Sequence, residues 1–209
     1  MREHDRILIA GAGPVGLGKD TSNLFRDRAA GARRRLDVRD FNDIISFGEA
    51  SVEAEGMITY EALVAASLAR GVMPTVVPQL KTITLGGAVA GVGIEASSHR
   101  HGLVHDGLLE LDVLLGDGSV VTCTADNEHA GLFHGFPNSY GTLGYALTVK
   151  VQLVPIRKFV TLRHERYSNL DTYFQALGRA CKDRQVDFVD GTLFDEQEFY
   201  ITTGTFVDQ

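Results

Sequence analysis

The sequence predicts an α+β fold, because short segments with strand-like alternation outnumber segments with helical spacing, and clusters of glycine separate them. The longest alternation runs from Tyr145 to Val154, where apolar side chains occupy every second position. The chain holds 23 glycines and 5 prolines, and the glycines gather at positions 11–18, 86–93, 116–118 and 141–144. Glycine clusters between apolar segments indicate tight turns or a close approach of the backbone to a ligand.

Composition and charge narrow the class of protein. The 209 residues are 44% hydrophobic and 22% charged, which is typical of a globular chain. A net charge of −7 argues against a nucleic-acid-binding surface. Two cysteines, Cys123 and Cys181, are too few for a disulfide framework. The apolar stretch at 7–10 is too short for a signal peptide or a membrane span. These features predict a cytoplasmic protein with no membrane span.

Capping residues and apolar spacing predict the elements of the first half. Thr59 is expected to cap a helix whose apolar face carries Leu63, Val64 and Leu68 and which ends at Gly71. The predicted strands are 6–10, 14–17, 36–38, 44–46 and 51–55, the last of them exposed.

Further strands fill the second half. A hairpin is expected from Leu108 to Thr124 around the turn Asp117-Gly118, and strands at 159–167, 186–194 and 199–206. Ser168 with Asp171 predicts a capping box for a helix ending near Cys181. Because the sequence stops directly after a strand, we expect an unpaired sheet edge, covered by self-association with a second subunit if the chain is not a fragment.

The first glycine cluster allows two interpretations. Residues 11–16 fit G-x-G-x-x-G after an apolar strand, which would indicate a dinucleotide-binding βαβ unit, but no periodic helix follows. Alternatively, Gly18, Thr21, Ser22 and Asn23 form a loop whose amides bind phosphate oxygens, or a turn that satisfies its own backbone.

The second glycine cluster has a clearer pattern. Thr84 is placed to cap a helical turn that begins with Leu85, Gly86 and Gly87. Without Cβ atoms at the two glycines, a diphosphate could lie directly on the N–H groups of this turn. Gly91 and Gly93 would let the chain pass close beside a flat ring.

These motifs carry a resemblance to a known family. The segment 78–103, containing Gly-Ile-Glu-Ala-Ser-Ser-His at 93–99, resembles the FAD-binding (PCMH-type) domain of the vanillyl-alcohol oxidase / p-cresol methylhydroxylase superfamily. Residues 117–119, 122–124, 132–133, 141–144 and 188–191 extend the resemblance. Within the superfamily the chain is most similar to Δ24-sterol reductase-like FAD-linked oxidoreductases.

The resemblance implies a domain plan and a cofactor site. Residues 1–155 would form the FAD-binding domain, with subdomains of about 1–70 and 71–155, and 156–209 would begin a truncated substrate or cap domain. FAD would lie between the subdomains and bind non-covalently, because Thr21 and Ser22 stand where some members carry a tethering histidine. The cofactor-binding residues implied in this way are Gly18, Lys19, Thr21, Ser22, Asn23, Pro78, Thr84, Leu85, Gly86, Gly87, Gly91, Gly93, Ile94, Glu95, Ser97, Ser98, Tyr140, Gly141, Thr142 and Gly144.

The implied activity is hydride transfer between flavin and a hydrophobic small molecule, sterol-like or isoprenoid-like, with NADPH or oxygen as electron partner. The alternative is a truncated, non-catalytic flavin-binding module. His99 is the candidate catalytic residue, placed to contact the flavin or substrate and to carry a proton, with Glu95 stabilising the loop or orienting His99. No metal site is predicted, because the histidines at 99, 101 and 105 lack accompanying carboxylates at metal-site spacing.

Overall fold

A computed structural model describes residues 15–18 and 34–209 of the chain. The predicted strand at 6–10, and the site residues Lys19, Thr21, Ser22 and Asn23, lie outside the described residues. The strands are β1 (Val15–Gly18), β2 (Arg34–Asp37), β3 (Ile44–Phe47), β4 (Ser51–Glu55), β5 (Val72–Pro74), β6 (Leu108–Leu114), β7 (Val120–Thr124), β8 (Tyr145–Pro155), β9 (Phe159–Tyr167), β10 (Phe188–Asp195) and β11 (Glu198–Val207). The helices are α1 (Tyr60–Leu68), α2 (Leu85–Ala90), α3 (Ser98–His101), α4 (Ala130–Gly135) and α5 (Leu170–Ala180), with a 3-10 turn at Val104–Gly107. The α+β prediction is confirmed.

The strands form three sheets. β1 and β2 run parallel. The largest sheet has the order β3-β4-β8-β6-β7, with β5 paired to the end of β8. The third sheet has the order β10-β11-β9 and is antiparallel throughout. The predicted hairpin is confirmed, since β6 and β7 pair in antiparallel register from Glu110↔Thr124 to Leu114↔Val120.

The main core lies between the largest sheet and helices α1, α2 and α4. Strand β4, predicted as exposed, is instead a buried strand between β3 and β8, with Val52 and Ala54 fully enclosed. The small residues of β4 suggested an exposed strand because they are not bulky. Small side chains nevertheless fit a crowded sheet interior. A smaller cluster, Leu36, Val38, Leu114 and Leu147, packs the β1–β2 pair against the largest sheet.

Helix α1 begins as predicted, but it ends at Leu68 with Ala69 as C-cap, slightly earlier than the predicted stop at Gly71, and its buried face differs. Thr59 Oγ1 accepts the amide of Ala62 over 3.3 Å, as expected of an N-cap. The buried residues are Tyr60, Leu63 and Ser67, whereas Leu68 is exposed. The polar Ser67 tolerates burial because its hydroxyl donates to the carbonyl of Leu63 over 2.8 Å.

The C-terminal sheet unit consists of β9, β10, β11 and α5. The final strand, β11, is central in its sheet, so the expectation that it forms an unpaired edge is wrong. The edges are β9 and β10, and any pairing with a second chain at this sheet would use one of them. The N-cap of α5 is Asn169, whose side chain accepts from the amide of Thr172 over 3.0 Å, not Ser168.

Within the described ranges, the chain passes from one sheet to another at two points, and the predicted domain and subdomain boundaries stay predictions. Strands β3 and β4 pair into the same sheet as β6, β7 and β8, so the first change of sheet falls between Asp37 and Ile44. The second change falls between Pro155 and Phe159, beside the predicted boundary at 155. Among the described residues, no helix is long and apolar enough to cross a membrane.

Candidate functional site

The cap predicted for α2 is present. Thr84 is extended, and its side chain accepts from the amide of Gly87 over 3.3 Å. The amide of Leu85 donates to the carbonyl of Ile58 over 2.9 Å, and that of Gly86 to Gly56 over 2.8 Å. All three N–H groups predicted to hold a diphosphate therefore already have partners within the chain. A diphosphate could use them only if these bonds were exchanged.

Gly86 is required by packing. A Cβ on Gly86 would lie 2.9 Å from the carbonyl oxygen of Gly56 and 3.3 Å from the Cβ of Ala146. The backbone of α2 thus rests directly on the 56–58 segment and on β8. The close approach of these two chain segments requires glycine at this position, and the cofactor contact of Gly86 stays a prediction.

The 91–97 loop, which follows α2, offers the open backbone. Within the part of the chain that the structure describes, the amides of Val92, Ile94 and Ala96 donate to no acceptor. Ile94 is 76% exposed. The loop is anchored beside these open amides, since Glu95 N donates to Ser98 Oγ over 2.9 Å and the buried Ser97 donates to Thr75 O over 2.9 Å. Anchored amides that face no protein acceptor form a suitable surface for anionic oxygens.

The 137–144 loop is bonded directly to this region. Asn138 N donates to Gly91 O over 3.2 Å, and Tyr140 N donates to Ala90 O over 2.9 Å. The structure thus brings the two predicted loops together. Asn138 and Tyr140 have φ angles of 62° and 50°. Left-handed backbone at two non-glycine residues is strained and recurs at functional sites.

Ser139, between those two residues, is not among the predicted site residues. It is more than nine-tenths buried, and its hydroxyl has no hydrogen-bond partner among the described residues. A buried polar atom without a partner is unusual in a folded protein and calls for a ligand or a water. No signal in the residue type alone distinguishes Ser139 from other serines.

The other predicted site residues of this loop determine its backbone conformation. Thr142 donates from its hydroxyl to Ser139 O over 2.7 Å. Gly144 has a φ of 141°, and a Cβ there would lie 2.6 Å from Leu114 O. Gly141 has a φ of 84°, which also favours glycine. The half-exposed ring of Tyr140 lies against Gly91, with Cε1 3.8 Å from where a Cβ would stand.

Glu95 stabilises the 91–97 loop, which is one of the two roles predicted for it. Its Oε1 accepts the amide of Gln79 over 3.3 Å, next to the buried Pro78. Burial raises the pKa of the Glu95 carboxyl, and the charge of Asp190 adds to the increase. Burial also raises the pKa of Tyr60, with a further contribution from the charge of Glu95. The loop that carries Glu95 contacts the C-terminal sheet unit at the next residue, since the amide of Val189 donates to Ala96 O over 2.8 Å.

His99, the predicted catalytic residue, lies between two backbone carbonyl groups. Nδ1 lies 3.1 Å from the carbonyl oxygen of Ala96, and Nε2 lies 3.3 Å from that of Val186. Both ring nitrogens thus face backbone acceptors at the contact with the C-terminal sheet unit. The catalytic role of His99 stays a prediction, with both ring nitrogens beside backbone carbonyl oxygens in this structure.

The first glycine cluster is described only in part. Gly16 and Gly18 lie within β1, which runs parallel to β2. A dinucleotide-binding βαβ unit would place the last glycine of its motif at the start of a helix, whereas Gly16 lies in a strand. Gly18 ends β1, and ligands of parallel sheets bind at that end of the strand.

Comparison with known proteins shows which family this chain belongs to. The profile of the family described as "FAD binding domain" matches residues 15–124. The chain is 33% identical to the human Δ24-sterol reductase over 158 residues, covering 76% of this chain and 30% of that protein. It is 30% identical over 186 residues to the Δ24-sterol reductase of Pisum sativum, covering 83% of this chain and 33% of that one. An uncharacterized oxidoreductase of Rhodococcoides fascians is 29% identical over 160 residues, covering 76% of this chain and 36% of its own length.

The chain spans about a third of the length of these relatives. The match of the family profile nevertheless extends from β1 through β7, across the loops that hold the open amides. The chain belongs to the family of FAD-binding domains.

Proposed function

We propose that the chain binds FAD non-covalently across the 91–97 and 137–144 loops and serves an FAD-dependent oxidoreductase. The observation that carries the proposal is the buried Ser139 hydroxyl without a partner among the described residues, held between two left-handed residues. The loop containing it is bonded to the segment whose amides are open. A cofactor with many polar atoms would form hydrogen bonds with both the Ser139 hydroxyl and the open amides.

The polar and apolar groups of these two loops fit the diphosphate and the ring of FAD. The open amides of Val92, Ile94 and Ala96 would donate to diphosphate oxygens, or to carbonyl and nitrogen atoms of the ring. Exposed apolar side chains on the same two loops, Val92, Ile94, Tyr140 and Leu143, offer surface to a flat aromatic ring. The other predicted phosphate contacts, at Lys19 and 21–23, are part of the same proposal.

When bound, the flavin would supply hydride chemistry that amino-acid side chains cannot. The relatives named Δ24-sterol reductase favour a hydrophobic substrate of sterol or isoprenoid type. We also propose that the electron partner is NADPH or oxygen and that the protein is cytoplasmic. Steady-state assays with each electron partner, and cell fractionation, test these two points.

A matched pair of serine variants tests the cofactor site. Ser139→Ala removes the hydroxyl that has no partner among the described residues, whereas Ser67→Ala removes a buried hydroxyl in α1 that donates to Leu63 O. We expect Ser139→Ala to weaken FAD binding by about tenfold and to leave the FAD-free protein as stable as the wild type or slightly more so. Ser67→Ala should lower the free energy of unfolding by about 1 kcal/mol with FAD affinity unchanged. Equal FAD affinity in Ser139→Ala and wild type would contradict the assignment of this site.

Turnover distinguishes the proposal from the alternative of a non-catalytic flavin-binding module. A chain that binds FAD and reduces an artificial electron acceptor in the presence of a sterol or isoprenoid substrate is an oxidoreductase. A chain that binds FAD with no turnover under any of these conditions is a binding module.

A further inference from the structure

The flavin-binding loop proposed above is attached to the C-terminal sheet unit at one junction. The amide of Val189, in edge strand β10, donates to the carbonyl of Ala96 over 2.8 Å. Ala96 lies between the open amide of Ile94 and helix α3. A strand more than 90 residues later in the sequence thus holds the C-terminal end of this loop.

A charged pair reinforces this junction. Arg100 in α3 forms an ion pair through Nη1 with Oδ1 of Asp187, and the two side chains are only 35% and 23% exposed. The other oxygen of Asp187 accepts the amide of Phe206 over 2.8 Å, and the amide of Asp187 donates to Gly204 O over 2.9 Å. The connection therefore runs from α3 through Asp187 to β11, the central strand of the unit.

His99 makes a second connection beside the first. Its Nε2 faces Val186 O at 3.3 Å, and Arg100 Nη1 is 3.5 Å from the same oxygen. Nδ1 of His99 faces Ala96 O, the acceptor that Val189 also uses. Two consecutive side chains of α3 therefore hold the segment at 186–187.

We propose that Arg100 and His99 are positioning residues, through which the C-terminal sheet unit holds the 91–97 loop in its cofactor-binding shape. This inference rests on the proposed function. A loop containing Gly91 and Gly93 has high conformational freedom when unattached, and ordering it on binding would cost affinity. Attachment to a packed sheet removes that cost in advance. By linkage, bound FAD strengthens the contact between α3 and β10 to the same extent.

Variants of the full-length chain test the connection. Arg100→Gln removes the charge, Arg100→Lys restores it with fewer donors, and Asp187→Asn keeps an acceptor for Phe206 N while removing the ion pair. Arg163→Gln is the matched control, because Arg163 pairs with Glu165 on the same sheet but away from α3. Two quantities are measured for each variant, namely FAD affinity by flavin fluorescence and, without FAD, hydrogen exchange of the amides of Glu95 and Ser98, which have acceptors within this segment.

We expect Arg100→Gln and Asp187→Asn each to weaken FAD binding about tenfold, or about 1.4 kcal/mol, with a smaller loss in Arg100→Lys. The double variant should lose little more than either single variant, because both remove the same interaction. The amides of Glu95 and Ser98 should exchange faster in these variants, and Arg163→Gln should match the wild type in both measurements.

Unchanged affinity and unchanged exchange in folded Arg100→Gln would overturn the inference. So would equal losses in Arg100→Gln and Arg163→Gln, since they would reflect general destabilisation. If Arg100→Gln fails to fold, Asp187→Asn decides in the same way. If the wild type binds no FAD but the amides of Glu95 and Ser98 exchange faster in Arg100→Gln, the connection holds and only the proposed function fails.

Discussion

The amide of Tyr140 donates to the carbonyl of Ala90 over 2.9 Å, joining a strained loop to the C-terminal end of helix α2. Together with the bond from Asn138 N to Gly91 O, this contact fixes two loops that are more than 40 residues apart in sequence. The open amides of one loop and the buried hydroxyl of the other therefore lie on adjacent loops. The cofactor proposal depends on this relationship.

The left-handed backbone at Asn138 predicts a difference between two substitutions. Asn138→Gly should leave the free energy of unfolding nearly unchanged, because glycine adopts a φ of 62° without strain. Asn138→Ala should lower it by about 1 kcal/mol, because a Cβ without a compensating polar group is disfavoured there. Urea unfolding of both variants measures the difference. Equal stabilities would mean that the loop relaxes out of the left-handed conformation.

Gly86 and Gly178 predict opposite effects of alanine. Gly86→Ala should lower the free energy of unfolding by about 2 kcal/mol, because the new Cβ meets the carbonyl of Gly56. Gly178 lies inside helix α5, and no atom of the described residues lies within 4 Å of where its Cβ would stand, so Gly178→Ala should raise it by about 0.5 kcal/mol. Thermal and urea unfolding give both values. A loss of FAD affinity in Gly86→Ala without any loss of stability would show that Gly86 contacts the cofactor after all.

The raised pKa of Glu95 predicts a specific dependence of stability on pH. Because the folded state holds the proton more tightly than the unfolded chain, the contribution of Glu95 is fully present below its ordinary pKa of 4.5 and is lost as pH rises through the raised value. Glu95→Gln keeps an acceptor for Gln79 N and removes the charge. The variant should therefore gain stability relative to the wild type as pH rises from about 4 to about 8, as measured by urea unfolding at each pH.

Asp117 provides the control of opposite sign. Hydrogen bonds from the Ser119 hydroxyl and amide lower the pKa of its carboxyl, so its contribution is present above the ordinary value of 3.8 and is lost as pH falls through the lowered one. Asp117→Asn should be less stable than the wild type near neutral pH, and the difference should shrink in acid. The same trend in both variants would contradict the account of Glu95.

Local sequence signals predicted most of the elements. Alternation located β8 and β9, Asp117-Gly118 located the hairpin turn, and Thr59 and Thr84 located two helix starts. β5 was not predicted, because three residues ending in a proline carry no period and the strand exists only through its pairing with β8. The order β3-β4-β8-β6-β7 was equally inaccessible, since no local pattern specifies which distant strands pair.

The candidate site was predicted in its loops but not in its details. Glycine clusters located the 91–97 and 137–144 loops, because glycine marks unusual backbone. Composition could not show that Leu85 and Gly86 donate to the 56–58 segment, or that His99 faces Val186. These partners come from long-range contacts. Ser139 stands out only once burial and hydrogen bonding are known.

The visible absorption spectrum of the purified chain, before and after heat release of any chromophore, tests the central claim most directly. We predict a flavin spectrum that passes into the supernatant on heating, or that forms when FAD is added to the colourless chain and separates again on denaturation. A colourless chain that does not take up added FAD would contradict the claim that this chain binds FAD.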